Sequence, residues 1–266
     1  MIKKFIKKYL KKEFSLDPSK QNYKKTIYNK EIIKKSKKYN IKFITCFDDK
    51  LQIIGEETSK TVKRYCDKFS YKFENIKISN TERPPAWNKI KILKDQMLKN
   101  DSDFLMWIDA DAYFNNFDID INSQIEEDKD IYLVKHFCEV HKGSIYENTK
   151  LTILRINTGV ILLRVSEFVK EFLHKVWENK SYINHPWWEQ ASIMDIIGFR
   201  SELNGNLNDN KGNHYLEKIK FLPNEWNSIP SNLDLSMEKQ EPIIVHLAGM
   251  NNEDRANYLK KNKISL

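Results

Sequence analysis

The chain has 266 residues, 40% hydrophobic and 12% aromatic, which is enough for one sizeable core and too apolar for wholesale disorder. The formal charge of +8 suggests a polyanionic partner. However, residues 1–40 hold 14 lysines, no arginine and three acids, so that segment carries +11 and the other 226 residues carry −3. None of the seven glycines is spaced as a dinucleotide fingerprint or a P-loop, and no run of about 18 apolar residues is present to span a membrane. The three scattered cysteines form no CxxC and point to buried, reduced thiols rather than a disulfide framework.

Residues 1–14 have the pattern of an amphipathic helix, with Ile2, Phe5, Ile6, Tyr9 and Leu10 on one face and lysines on the other. Two readings stay open for the basic segment 1–40: a solvated tail, or a peripheral anchor for anionic lipid. From residue 41 the pattern changes. The apolar run Ile41–Phe47 predicts a strand, residues 56–70 a helix, Phe73–Ile78 a strand and Trp87–Leu98 a helix. Phe104–Ile108 (FLMWI) is continuously apolar, the mark of a strand buried on both faces. Ile131–Phe137 and Ile153–Val165 add strands, 166–179 and 189–197 add helices, and Phe221–Leu222 and Ile243–Leu247 are late short strands. Strands alternating with helices predict one α/β domain over 41–266 with a largely parallel sheet.

Asp-x-Asp occurs four times, and context separates the four. Only Asp109-Ala110-Asp111 follows directly on the apolar strand FLMWI, at the carboxyl edge where open α/β sheets place their ligands. Two carboxylates there repel one another and are costly to desolvate. A divalent cation removes that cost, and hard oxygen ligands suit Mn²⁺ or Mg²⁺. The alternative is a pair of solvated loop acids, which is the reading for Asp101/Asp103, Asp118/Asp120 and Asp128/Asp130.

The stretch RPPAWNKIKILKDQMLKNDSDFLMWIDADAYFNN (83–116) resembles glycosyltransferase family 34, the group of fungal mannan galactosyltransferases and plant xyloglucan xylosyltransferases. Three further blocks agree in order: INTGVILLR (156–164), WWEQASIMDII (187–197) and IIVHLAG (243–249). The resemblance spans roughly residues 40–250. It implies a GT-A fold, with a Rossmann-like nucleotide-sugar-binding half fused to an acceptor half. It also implies metal-dependent, retaining transfer of a hexose or pentose from a nucleoside-diphosphate sugar, with UDP ranked ahead of GDP, to a glycan or glycolipid.

Residue by residue, the resemblance makes Asp109 and Asp111 the metal- and diphosphate-binding pair and His246 the later metal ligand. Gly249 falls in the same block, but Met250 stands where the family often has Cys. Trp87 and Lys89 would border the donor site, with Lys89 in reach of a phosphate. Asn157, Thr158 and Gly159 make a polar break suited to sugar hydroxyls, or else a turn. Glu189 is a candidate nucleophile, or begins a helix and complements its dipole; Gln190 is a candidate stabiliser of an oxocarbenium-like transition state. Trp187 and Trp188 would stack on a sugar or fill core. Two other classes compete. A Mg²⁺-dependent nucleotidyltransferase or phosphohydrolase would need more carboxylates on the metal, and a basic nucleic-acid-binding module would need a basic body. No nucleic-acid partner is expected. Family members in eukaryotes carry an N-terminal membrane anchor; without one here, a cytoplasmic enzyme is expected, peripheral on a membrane through residues 1–14.

Overall fold

A computed structural model describes residues 37–77, 82–139, 152–206, 208–230 and 241–264. The amphipathic pattern over 1–14 lies outside them. Eight strands and six α-helices occur among the described residues. In chain order they are β1 (Ile41–Phe47), α1 (Gln52–Phe69), β2 (Lys72–Lys77), α2 (Asn88–Lys99), β3 (Phe104–Ile108), β4 (Ala112–Phe114), β5 (Ile131–Glu139), β6 (Thr152–Arg164), α3 (Glu167–Glu178), α4 (Trp188–Ile197), α5 (Ser201–Asn204), β7 (Ile219–Leu222), β8 (Ile244–His246) and α6 (Asn252–Lys261).

Six strands form one sheet in the order β2-β1-β3-β6-β5-β7. β1 pairs with β2 and β3 in parallel, and β5 with β7 in parallel; β6 runs antiparallel to both its neighbours. The sheet is therefore mostly parallel, as expected, with one reversed strand at its centre. β3 lies between β1 and β6 and is buried along its whole length, which is why its sequence is apolar without alternation. Its side chains still obey the two-residue period of a strand. Leu105 and Trp107 enter one core with Leu93 of α2, Phe172 and Leu173 of α3 and Ile193 and Met194 of α4. Phe104, Met106 and Ile108 enter the opposite core with Val62, Tyr65 and Cys66 of α1. The helices thus cover both faces, and each fully buried large side chain contributes about 1.5–3 kcal/mol.

Several boundaries differ from the sequence reading. α1 begins at Gln52 rather than 56, because Asp48 caps a short 3₁₀ turn at Asp49–Leu51 that runs on into the helix. β4 and α6 had no sequence counterpart. β4 pairs antiparallel with β8 in a two-stranded ribbon, Ala112 opposite His246. Asp130 corrects the solvated reading of its pair: it is buried, with Arg164 and Lys218 on its two oxygens. Asn157, Thr158 and Gly159 are not a turn. They lie inside β6, where its pairing with β5 jumps from Tyr132/Leu162 to Val134/Asn157. That irregularity releases backbone groups that a regular ladder would consume. Cys46 and Cys66 are free thiols. No helix among the described residues is long and apolar enough to cross a membrane.

Candidate active site

Residues 109–111 leave β3 at its carboxyl end and turn into β4. Four hydrogen bonds, three of them between backbone groups, set their course. Asp109 N–H donates to Gly159 O at 2.8 Å, continuing the β3–β6 ladder, and Ala112 N–H donates to Asp109 O at 2.9 Å. Thr58 of α1 donates its hydroxyl to Ala110 O at 2.6 Å. Leu247 N–H donates to Asp111 O at 3.0 Å, which ties the turn to the far end of β8. The ribbon therefore delivers His246 to the acidic pair. Its Nε2 is 3.2 Å from Asp111 Oδ1 and 3.8 Å from Asp109 Oδ2. One ligand atom from each of Asp109, Asp111 and His246 lies within 4.8 Å of the others, and Asp111 and His246 are buried.

The orientation of His246 is fixed by a chain of amides. Gly159 N–H donates to Asn157 Oδ1 at 2.9 Å, so that oxygen is an acceptor. The same oxygen accepts from Asn227 Nδ2 at 2.8 Å. Asn227 Oδ1 must then face His246 Nδ1, 3.0 Å away, which leaves Nδ1 as the donor. In a neutral imidazole, Nε2 is then the unprotonated nitrogen. Its lone pair faces the oxygens of Asp109 and Asp111, three acceptors with no proton among them. A divalent cation between them, or a proton on Nε2, resolves that arrangement. Two carboxylates and an oriented imidazole are a donor set that suits Mn²⁺ or Mg²⁺. Gly159 makes room for the ring: a Cβ built there would lie 2.5 Å from His246 Nδ1 and 2.8 Å from Nε2.

A second cluster adjoins the first. Lys89, on α2, is buried and reaches Glu189 Oε1 at 2.8 Å, Thr158 O at 3.0 Å and Asp109 Oδ1 at 3.1 Å. Burial opposes its charge, but Asp109 and Glu189 outweigh that and hold the ammonium protonated above its ordinary range. Glu189, in the first turn of α4, is buried; burial pushes its carboxyl up, against Lys89 and with Asp109 adding to the rise. Its Oε2 has no hydrogen-bond partner among the described residues. Gln190 Oε1 accepts from Thr158 N–H at 3.2 Å, a donor freed by the β6 irregularity. Trp107 Nε1–H donates to the same oxygen of Asp109 that Lys89 reaches, at 2.6 Å to Oδ1. Burial also opposes the charge of Asp111, yet His246 and Arg255 together hold its carboxyl well below the usual carboxylate range.

The structure gathers Lys89, Asp109, Asp111, Thr158, Gly159, Glu189, Gln190 and His246 into one place. It moves others out. Trp87 is fully buried in the core and donates Nε1–H to Ile183 O, so it supports α2 instead of presenting a face to a donor. Lys89 is an internal counter-ion rather than a free phosphate ligand. Asn157 spends its Oδ1 on Gly159 and Asn227, and so acts on the site through His246. Gly249 sits in the connection from β8 to α6, at φ 78°, with open space where a Cβ would be. Trp187 is half-buried beside the core and Trp188 is exposed. Sequence reading missed Asn227, Trp107 and Arg255. Arg255 donates from Nη2 to Asp111 Oδ2 at 2.8 Å.

Comparison with known proteins identifies the fold and the family. No curated protein matches the sequence. Among solved structures, the chain is similar to a glycosyltransferase involved in glycosylation of the major capsid of PBCV-1: 18% identity, 84% of this chain and 99% of that one, TM-score 0.56. It is also similar to the galactosyltransferase LgtC solved with donor and acceptor sugar analogues, at 10% identity, 84% and 94% coverage and TM-score 0.47. The apo glycosyltransferase GlyE of Streptococcus pneumoniae TIGR4 follows, at 9% identity, 85% and 64% coverage and TM-score 0.46. The fold is that of GT-A glycosyltransferases, and neither the nucleotidyltransferase or phosphohydrolase reading nor the nucleic-acid reading gains support. A model of the galactosyl transferase GMA12/MNN10 family matches residues 32–257, more than four-fifths of the sequence, and the chain therefore belongs to that family and is a glycosyltransferase.

Proposed function

We propose that the enzyme moves a hexose or pentose from a nucleoside-diphosphate sugar, UDP before GDP, to a glycan or glycolipid acceptor, with retention and with Mn²⁺ or Mg²⁺ bound by Asp109, Asp111 and His246. One observation supports the cation: ligand atoms of Asp109, Asp111 and His246 converge within 4.8 Å of one another, with the ring's Nδ1 already committed to Asn227. The chemistry such an ion supplies when bound is neutralisation of charge developing on the diphosphate.

The remaining work belongs to side chains. Asn227 holds Nδ1–H of His246, and Asn157 holds Asn227, so the ring cannot turn its other edge to the site. Lys89 is ion-paired both with Asp109 and, through Oε1, with Glu189. That commitment of Oε1 makes Glu189 a poor nucleophile and leaves Oε2 to accept from a sugar hydroxyl. Gln190 is half-buried and pinned through Oε1 to Thr158 N–H, which suits a neutral dipole set beside an oxocarbenium-like centre. We therefore assign Gln190 the stabilising role over a covalent role for Glu189. Holding the acceptor hydroxyl near the anomeric carbon completes the requirement, and a diphosphate oxygen takes its proton. Residues 1–14 would tether the enzyme to an anionic surface.

Hydrolysis of UDP- and GDP-sugars with and without Mn²⁺ tests the reading. Turnover should require the cation and be lost in Asp109→Ala and Asp111→Ala, with circular dichroism unchanged. Full activity in both variants, or no donor turned over or bound, would overturn it.

A further inference from the structure

Charge at this site is divided unevenly. Lys89 is shared between Asp109 and Glu189, while Asp111 has its own cation, Arg255 of α6. The guanidinium side chain is 17% exposed and Asp111 9%, so water screens the pair poorly. Nη1 donates to Asn252 Oδ1 at 2.9 Å, and the buried Nε–H has no partner among the described residues. A fixed positive charge beside the carboxylates opposes a divalent cation that arrives alone. The same charge attracts a diphosphate, and the spare Nε–H is a donor for one of its oxygens.

We propose that Arg255 makes the site accept cation and nucleoside diphosphate as a unit, by weakening the binding of the metal alone and strengthening that of the diphosphate. The inference rests on Asp109, Asp111 and His246 being the cation site. Arg255 is a positioning charge in this scheme, and its effect on the two ligands has opposite signs. A charge this near and this poorly screened changes each affinity by about tenfold. Loss of the guanidinium leaves α6 anchored, since Leu259 is fully buried with Val245, Leu247 and Tyr113.

The experiment uses the full chain stripped of metal. Mn²⁺ is titrated without nucleotide and followed by electron paramagnetic resonance; UDP and GDP are titrated in EDTA by calorimetry. In Arg255→Gln, Mn²⁺ should bind about tenfold tighter and the nucleoside diphosphate about tenfold weaker. A merely structural arginine would loosen both, so a fall in both affinities, or no change in either, overturns the proposal. Arg255→Lys keeps the charge and should stay within about twofold of the native Mn²⁺ affinity; tenfold tightening there also overturns it, even if the glutamine variant does not fold. If the native chain binds no Mn²⁺ with or without nucleotide, the cation-site reading itself is wrong. Native Mn²⁺ binding without the opposed shifts removes only the role of Arg255.

Discussion

Gly159→Ala perturbs the candidate site by a single methyl group. Gly159 lies within β6, and its backbone is not in the left-handed region, so alanine brings no conformational penalty of its own. The cost is steric. The new Cβ would overlap the His246 ring, 2.5 Å from Nδ1 and 2.8 Å from Nε2, in a residue that is 3% exposed. The ring cannot slide away freely, since Asn227 Oδ1 holds one edge and Asp111 Oδ1 faces the other. Overpacking of this kind costs about 1–3 kcal/mol, or about 2–12 °C in Tm for a domain of this size. Displacing the imidazole should also weaken Mn²⁺ binding by about 10–100-fold, as loss of ligand orientation does elsewhere. Thermal melts and Mn²⁺ titrations of Gly159→Ala, His246→Ala and the double variant form the assay. Because His246→Ala vacates the space, the double variant should recover the stability lost to the methyl group, a coupling of about 1–2 kcal/mol. Native Tm and native Mn²⁺ affinity in Gly159→Ala would show that the ring does not sit where the tautomer reasoning requires.

Asn227→Leu removes the acceptor that fixes His246 Nδ1–H and should cut Mn²⁺ affinity about tenfold while donor turnover falls with it; unchanged affinity by titration would mean the ring needs no orienting partner. Asp111 has a folded-state pKa below its unfolded value, so the stability it contributes is present above pH ~4 and is lost as pH falls through the lower, folded value. Urea unfolding from pH 6 to 2.5 should therefore show a shallower acid limb in Asp111→Asn than in the native chain, and parallel limbs would contradict the assignment. Deleting residues 1–14 should release the protein from phosphatidylserine vesicles in flotation while donor hydrolysis in solution persists; loss of hydrolysis would place that segment in the catalytic domain.

The parts of the site that follow from one strand were readable in the sequence. A strand covered on both faces must be apolar throughout, and FLMWI announced both β3 and the acids at its end. His246 was reached only through the resemblance of its block, IIVHLAG, to the family; the apolar run by itself reads as a strand ending in a structural histidine. Residues whose importance comes from partners far along the chain left no such mark. Asn227 is one polar residue in a short 3₁₀ turn, and its value lies in touching Asn157 and His246. Arg255 lies on a helix whose only buried residue is Leu259, so α6 shows no apolar periodicity. Its one sequence signal was local: Asn251 caps the helix, with Glu253 and Asp254 in the first turn. Trp87 erred in the other direction, because a motif position says nothing about which way an indole faces.

The β4–β8 ribbon has a consequence in time as well as space. All six strands of the main sheet lie before residue 223, so that sheet is complete in sequence while one of the three proposed cation ligands is still missing. Asp111 and His246 meet only when Ile244–His246 zips onto Ala112–Phe114, a closure across the 129 residues that separate the two strands. Contacts of such long sequence separation form late, because loop-closure entropy is lost before they repay it. A polypeptide folding from its N-terminus would thus pass through a stage with an ordered sheet and an inert site. A chain stopped before residue 243 is expected to keep much of the sheet while binding no Mn²⁺.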